Sequence, residues 1–205
     1  MKANRAYKKG EAFRDARLFV IACEGEVTEP EYFQYFQKVS QRVKVTIIKP
    51  KEGENWNSAP KWVLDRAASY AQDIGLSSDD QLWLVMDVDR WEIKTLHEIG
   101  DECSKQEGWN LAITNPCFEV WLVMHLADTS DFVETGCQAW KSKLKGLVQV
   151  GYSPNKLLPY LQEAIQRAEA VDKNPGHYLP EPGTTKVYSL AKEILPFIEL
   201  PQRSL

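Results

Sequence analysis

Apolar residues in the first half of the chain are gathered into short unbroken runs. Leu18 to Cys23 stops at Glu24-Gly25, and Val43 to Ile48 stops at Lys49-Pro50. Gln81 to Met86 gives way to Asp87-Val88-Asp89, and Trp109 to Thr114 to Asn115-Pro116. Runs of about four to eight residues closed by turn formers predict strands buried on both faces. Between them the apolar period becomes helical. Phe33, Phe36 and Val39 follow Thr28-Glu-Pro-Glu31, where Thr28 can cap, Glu31 can reach back and Pro30 suits a first turn. A turn-rich stretch from Lys51 to Ser58, with Gly53 and Asn57, leads to a second helix striped by Val63, Ala67, Tyr70 and Ile74 and stopped at Gly75. Ile93, Leu96 and Ile99 mark a third, from Trp91 to about Gln106, and Asn115-Pro116 can cap a fourth from Cys117 to Leu126. Strands alternating with helices predict an α/β fold with a mainly parallel four-stranded sheet flanked by helices.

Past Asp128 the strand pattern stops. Leu157, Leu161, Ala164 and Ala168 stripe one helix, and Val187, Leu190, Ile194 and Ile198 another. The Pro- and Gly-bearing stretch between them, Asp172 to Thr185, reads as an irregular loop. The expected organisation is a core over 1–127, led by a basic arm over about 1–17, and a helical extension over 128–205 packed on that core.

A chain of 205 residues can bury its core without covalent staples. Its net charge of −4 gives no global positive field, so a polyanion would need local basic segments or bound cations. Lys8 and Lys9 in the arm, and Lys141, Lys143 and Lys145 further on, are the candidate nucleic-acid contacts; a solvated lysine set is the bland alternative. Cys23, Cys103, Cys117 and Cys137 are scattered with no C-x-x-C pair, which reads as four reduced thiols in a cytoplasmic protein. His97, His125 and His177 supply no zinc-site spacing. No apolar run approaches ~18 residues, so no membrane role is expected.

In an open parallel sheet, ligands bind beyond the carboxyl ends of the strands. Those ends carry Glu24-Gly25-Glu26 after the first strand, Asp87 and Asp89 after the third, and Glu119 one turn beyond the fourth. If the first and third strands are neighbours, ~4.8 Å apart, Glu24 and Asp87 could share a cation. Hard oxygen donors suit Mg²⁺ or Mn²⁺. Asp87 and Asp89 would aim the same way only if the strand persists. Alone, the Asp-x-Asp pair is equally a solvated turn. Glu29 and Glu31 read as helix-start carboxylates favoured by the dipole. Glu119 shares its helix face with Leu122, Val123 and Leu126, where a carboxylate is costly unless it reaches water, a partner or a cation. Phosphate-loop, dinucleotide, zinc-protease and nucleophile-elbow motifs are absent from the sequence.

Four segments, Cys23-Glu-Gly-Glu-Val-Thr-Glu-Pro-Glu-Tyr-Phe33, Met86-Asp-Val-Asp89, Thr114-Asn-Pro-Cys-Phe-Glu-Val-Trp-Leu122 and Pro182-Gly-Thr-Thr-Lys186, resemble in order and spacing the RloB family, relatives of a component of the AbiL abortive-infection system. The resemblance implies a divergent Toprim-like core. It puts Glu24 in the place of the Toprim glutamate and Asp87 and Asp89 in that of the aspartate pair, while Glu119 matches the family's own motif. It also implies a co-encoded ATPase as partner in phage defence.

Two functions compete. One is a Mg²⁺-dependent nuclease of a prokaryotic phage-defence system, cutting RNA (tRNA included) or DNA, with Glu24, Asp87, Asp89 and Glu119 as catalytic and metal-holding residues. The other is a non-catalytic Toprim-like partner or sensor of an ATPase, for which tryptophans on surface-like segments, Trp56 and Trp140, could serve an interface. Nothing in the sequence fixes the oligomeric state.

Overall fold

The computed structural model describes residues 16–50, 59–89, 91–132, 136–148 and 151–203. The predicted strands form: β1 (Arg17–Cys23), β2 (Val43–Ile47), β3 (Gln81–Asp87) and β4 (Trp109–Asn115). All pair in parallel, with β1 between β2 and β3 and with β4 beyond β3. A fifth strand, β5 (Thr184–Thr185), pairs antiparallel with β4 and corrects the expectation that strands end at Asp128. It arises in the stretch read as an irregular loop. Two threonines carry no hydrophobic run, so the backbone bonds and the 2.8 Å contact between the Thr114 and Thr185 hydroxyls hold it in place. Arg17, assigned to the basic arm, is the first residue of β1.

Side chains alternate across each strand and so divide the core in two. Phe19, Ile21 and Cys23 face α1 (Thr28–Gln34), α2 (Phe36–Val39), α5 (Glu119–Leu126), α6 (Cys137–Leu147), α8 (Leu161–Val171) and α9 (Val187–Ile194). Val20 and Ala22 face α3 (Pro60–Ile74) and α4 (Ile93–Ser104). Thr28 is the first residue of α1 and makes no side-chain cap, contrary to expectation, because Val27 occupies the capping position. Gly75 ends α3 with φ of 67°, a conformation that favours glycine. The helix predicted through Leu157 is divided. α7 (Pro154–Leu157) passes through a 3-10 turn containing Pro159 before α8 begins.

α5 is almost entirely buried, so its polar groups need internal partners. His125 Nδ1 lies 3.0 Å from the Trp121 carbonyl, which can only accept. The proton is therefore on Nδ1, and Nε2 accepts from the Tyr32 hydroxyl at 3.0 Å. Burial holds the imidazole neutral, its pKa lowered to about 3. Arg167 closes the helix end by donating to the carbonyls of Met124 and His125. Trp140 is fully buried, which corrects its reading as a surface residue; Trp56, Gly53 and Asn57 lie outside the described residues.

A second polar knot fixes the segment before β5. Lys186 Nζ lies 2.6 Å from Asp172 Oδ2 and 2.7 Å from the Asn174 carbonyl, while the Tyr188 hydroxyl donates to Asp172 Oδ2 at 2.7 Å. Both charged side chains are about 5% exposed or less. Burial raises the Asp172 pKa, but the bonds from Lys186 and Tyr188 outweigh it and hold the carboxyl below its ordinary value.

Cys117 and Cys137 are joined as a disulfide with Cα atoms 5.7 Å apart, whereas Cys23 and Cys103 are free and buried. The expectation of four reduced thiols is corrected for that pair. The link ties the loop before α5 to the first residue of α6.

Candidate acidic site

β1 and β3 are neighbours, with Cys23 opposite Val85, so Glu24 and Asp87 come to one edge of the sheet. Glu24 continues the ladder, its N–H donating to the Val85 carbonyl at 2.9 Å. Its carboxylate accepts from the Asp87 N–H at 3.1 Å and from the Trp91 indole at 3.0 Å. These bonds pin the side chain across the two strand ends. β3 stops at Asp87, so strand alternation does not set Asp89. The Asp89 N–H instead donates to the Pro116 carbonyl at 3.1 Å, which ties this turn to the segment leading into α5. The Asn115–Pro116 peptide is cis, and Phe118 rather than Asn115 takes the capping position of α5.

The result is one pocket of about 190 Å³, lined by Glu24, Glu29, Asp87, Asp89, Glu119 and Lys141 among others. All four carboxylates singled out from the sequence reach it. Glu29 is the member that sequence reasoning passed over. It is 7% exposed, and its carboxylate lies over Gly25, where any Cβ would collide with it. A glycine four residues before an acid, beside Glu24, was the available signal; a helix-start explanation hid it. Glu26 and Glu31 are exposed.

Crowding of like charge shows in the titration of these groups. Burial, with help from Asp89 and Glu29, raises the Glu24 pKa to about 7 against the lowering by its two hydrogen bonds. Burial first, and then Glu29, Glu24, Glu119 and Asp89, push Asp87 well above the ordinary carboxylate range. Burial and the Glu119 charge likewise push Glu29 up, with Lys141 opposing. Tyr152, whose hydroxyl donates to the Thr28 carbonyl at 3.3 Å, is raised by burial and then by Glu31, Glu29 and Glu119.

The three lysines read as a set on one segment divide between two sides of α6, Lys141 and Lys145 on one and Lys143 on the other. At about 100° per residue, i and i+2 point to opposite sides of a helix. Lys141 lines the pocket with Nζ 4.0 Å from Glu119. Lys143 turns away and places its ammonium 4.2 Å from the Phe132 ring centroid. Lys145 is exposed in the last turn of α6. Lys8 and Lys9 lie outside the described residues.

An all-oxygen donor set, in which burial first and neighbouring carboxylates second raise Glu24, Glu29 and Asp87, fits a hard divalent cation such as Mg²⁺ or Mn²⁺. A carboxylate has about four lone-pair sites, so Glu24 can keep its two donors and still bind. Among the described residues, however, no group of three or more His, Cys, Asp or Glu side chains stands as a ready-made coordination sphere. Side chains would have to turn for the pocket to close on an ion. No helix among the described residues is long and apolar enough to cross a membrane.

No curated protein and no solved structure matches this chain. A family model, RloB-like protein, matches residues 19–194. That span runs from β1 to the end of α9 and contains every residue of the acidic pocket; the chain belongs to the RloB-like family.

Proposed function

We propose that this protein is a Mg²⁺- or Mn²⁺-dependent nuclease, a Toprim-like enzyme of prokaryotic phage defence by abortive infection, hydrolysing phosphodiesters of RNA or DNA in the cytoplasm beside a co-encoded ATPase. One observation carries it. Acids from the ends of β1 and β3 and the starts of α1 and α5 share a single pocket, and their charges oppose one another's ionisation.

Glu24, Asp87, Asp89 and Glu119 would hold the cation, with Glu29 as an inner neighbour. When bound, the divalent ion supplies charge neutralisation at phosphate oxygens and lowers the pKa of water. Glu24 is fixed by Trp91 and the Asp87 N–H; burial raises its pKa to about 7, and a bound cation would hold it ionised as a ligand. Lys141, half exposed at the pocket lip, can exchange Glu119 for a phosphate oxygen.

The test compares wild type with Glu24→Gln and Asp87→Asn on mixed RNA and DNA, in Mg²⁺, Mn²⁺ or EDTA. Cleavage by wild type, lost in both variants and in EDTA, is expected. One observation favours the non-catalytic alternative. Both Glu24 oxygens already serve as a structural tie, and no ligand sphere is preformed among the described residues. Phage-growth arrest that needs the ATPase but tolerates both substitutions would establish that alternative and end the nuclease assignment.

A further inference from the structure

The first turns of α3 stand at the same edge of the sheet as Glu24, on the opposite side of β1 from the acidic pocket. There Trp62 is 53% exposed, and it is the one aromatic among the large exposed apolar side chains of the described residues. It borders a cleft of about 360 Å³ whose wall includes Ile48, Lys49, Asp65, Arg66 and Tyr70. The cleft therefore combines two aromatic side chains and an aliphatic one with the guanidinium of Arg66, the ammonium of Lys49 and two carboxylates, Asp65 and Asp73. A flat ligand with a polar edge could stack on Trp62 and meet polar groups along its rim.

A hydrogen bond ties the cleft to the strand end that carries the acidic site. Arg66 Nη2 donates at 2.9 Å to the carbonyl of Cys23, the residue immediately before Glu24. A ligand filling this cleft would have its attached chain directed toward the acidic rim, with Lys49 exposed at the margin for an anionic backbone.

A nucleobase meets all of these requirements, provided a face is uncovered. In a duplex both faces are stacked, so only a single strand or an extruded nucleotide can offer one. We infer that the Trp62 cleft is a nucleobase-binding subsite and that the substrate is a single-stranded segment of nucleic acid, with one base stacked on Trp62 while a neighbouring phosphodiester lies at the acidic rim. This rests on the nuclease assignment above and sharpens its substrate class.

The experiment measures fluorescence anisotropy of short mixed-sequence RNA and DNA oligonucleotides, as single strands and as duplexes, in millimolar Ca²⁺ in place of Mg²⁺. The full chain is compared with Trp62→Ala, Trp62→Phe and the surface control Ile74→Ala; thermal melts check that each variant is folded. Single strands are expected to bind about tenfold tighter than duplexes. Trp62→Ala should lose about tenfold in affinity, and Trp62→Phe should recover most of it. Equal binding by wild type and Trp62→Ala, equal binding of duplex and single strand, or no binding by wild type would each overturn the subsite. Cleavage in Mg²⁺ is read in parallel. Trp62-dependent binding without any cleavage overturns the nuclease assignment and leaves the subsite standing. Cleavage lost in Asp87→Asn but unchanged in Trp62→Ala, with unchanged binding, does the reverse.

Discussion

Lys186 and Asp172 are buried 2.6 Å apart with Tyr188 and the Asn174 carbonyl around them, and the carboxyl is held ionised. At the other buried ionic cluster, Glu24, Glu29 and Asp87 face one another and Glu119, and their carboxyls are held toward the protonated form. In the first, each charge was neutralised from within the chain when the fold formed. In the second, the half-exposed ammonium of Lys141 is 4.0 Å from Glu119. Desolvating a charge is costly in either place. A buried acid with its counter-ion beside it is held ionised, whereas burial among like charges holds a carboxyl toward its protonated form.

The largest consequence concerns the closed cluster. Lys186→Met strands Asp172 without its counter-ion and is expected to cost about 3–5 kcal/mol by urea unfolding. Adding Asp172→Asn should restore part of that. If the single variant unfolds at the wild-type midpoint, the two clusters do not differ in the way described.

Next in size is the pH dependence of stability in chelator. Glu24 has an ordinary value of 4.5 and is raised to about 7 in the fold, so folding takes up a proton between those values. Stability should therefore fall as pH rises from about 4.5 to about 7 and level off above, by on the order of 3 kcal/mol from this group. Glu24→Gln should flatten that limb. Asp172, held below its ordinary 3.8, acts oppositely: its contribution is complete above that value and is lost as pH falls through its lowered one. A urea midpoint unchanged between pH 4.5 and 7 would refute the charge crowding at the rim.

A smaller effect, of opposite sign to Lys186→Met, is expected for Asp87→Asn in chelator. Removing one of several like charges should leave the melting temperature unchanged or raise it by up to about 1 kcal/mol equivalent. A clear loss would make Asp87 a structural residue. Smallest is Lys141→Ala, worth about 0.5 kcal/mol or less because its ion pair is half exposed. A larger loss there would mean that the rim, too, is balanced from within.

The parallel part of the sheet was legible because buried strands write themselves as apolar runs, and β1, β2, β3 and β4 each formed from one. Convergence of Glu24 and Asp87 followed once β1 and β3 were neighbours. What escaped has long-range causes. β5 has two residues and no apolar pattern, and it is made by pairing with a strand about 70 positions earlier. Cys117 and Cys137 carry no local pairing signal at a separation of 20. Glu29 had a sufficient local explanation in the helix dipole, and only tertiary placement over Gly25 reveals its inward course. The lysine set is divided by a local rule, since residues two apart point to opposite sides of a helix whereas Lys141 and Lys145, four apart, share one.

The antiparallel pairing of β5 bears on how the protein can be handled. Gly183 and Lys186 donate to the Asn115 and Ile113 carbonyls, so the late part of the chain completes the hydrogen bonding of β4 next to the acidic edge. Leu161, Val187 and Ile194 also share one apolar core with Phe19 and Ile21. Shortening the polypeptide after α5 would leave a raw strand edge and a stripped helix layer, which invites aggregation. The two halves share one core and one sheet, so fusions are expected to be tolerated at the ends rather than at an internal joint.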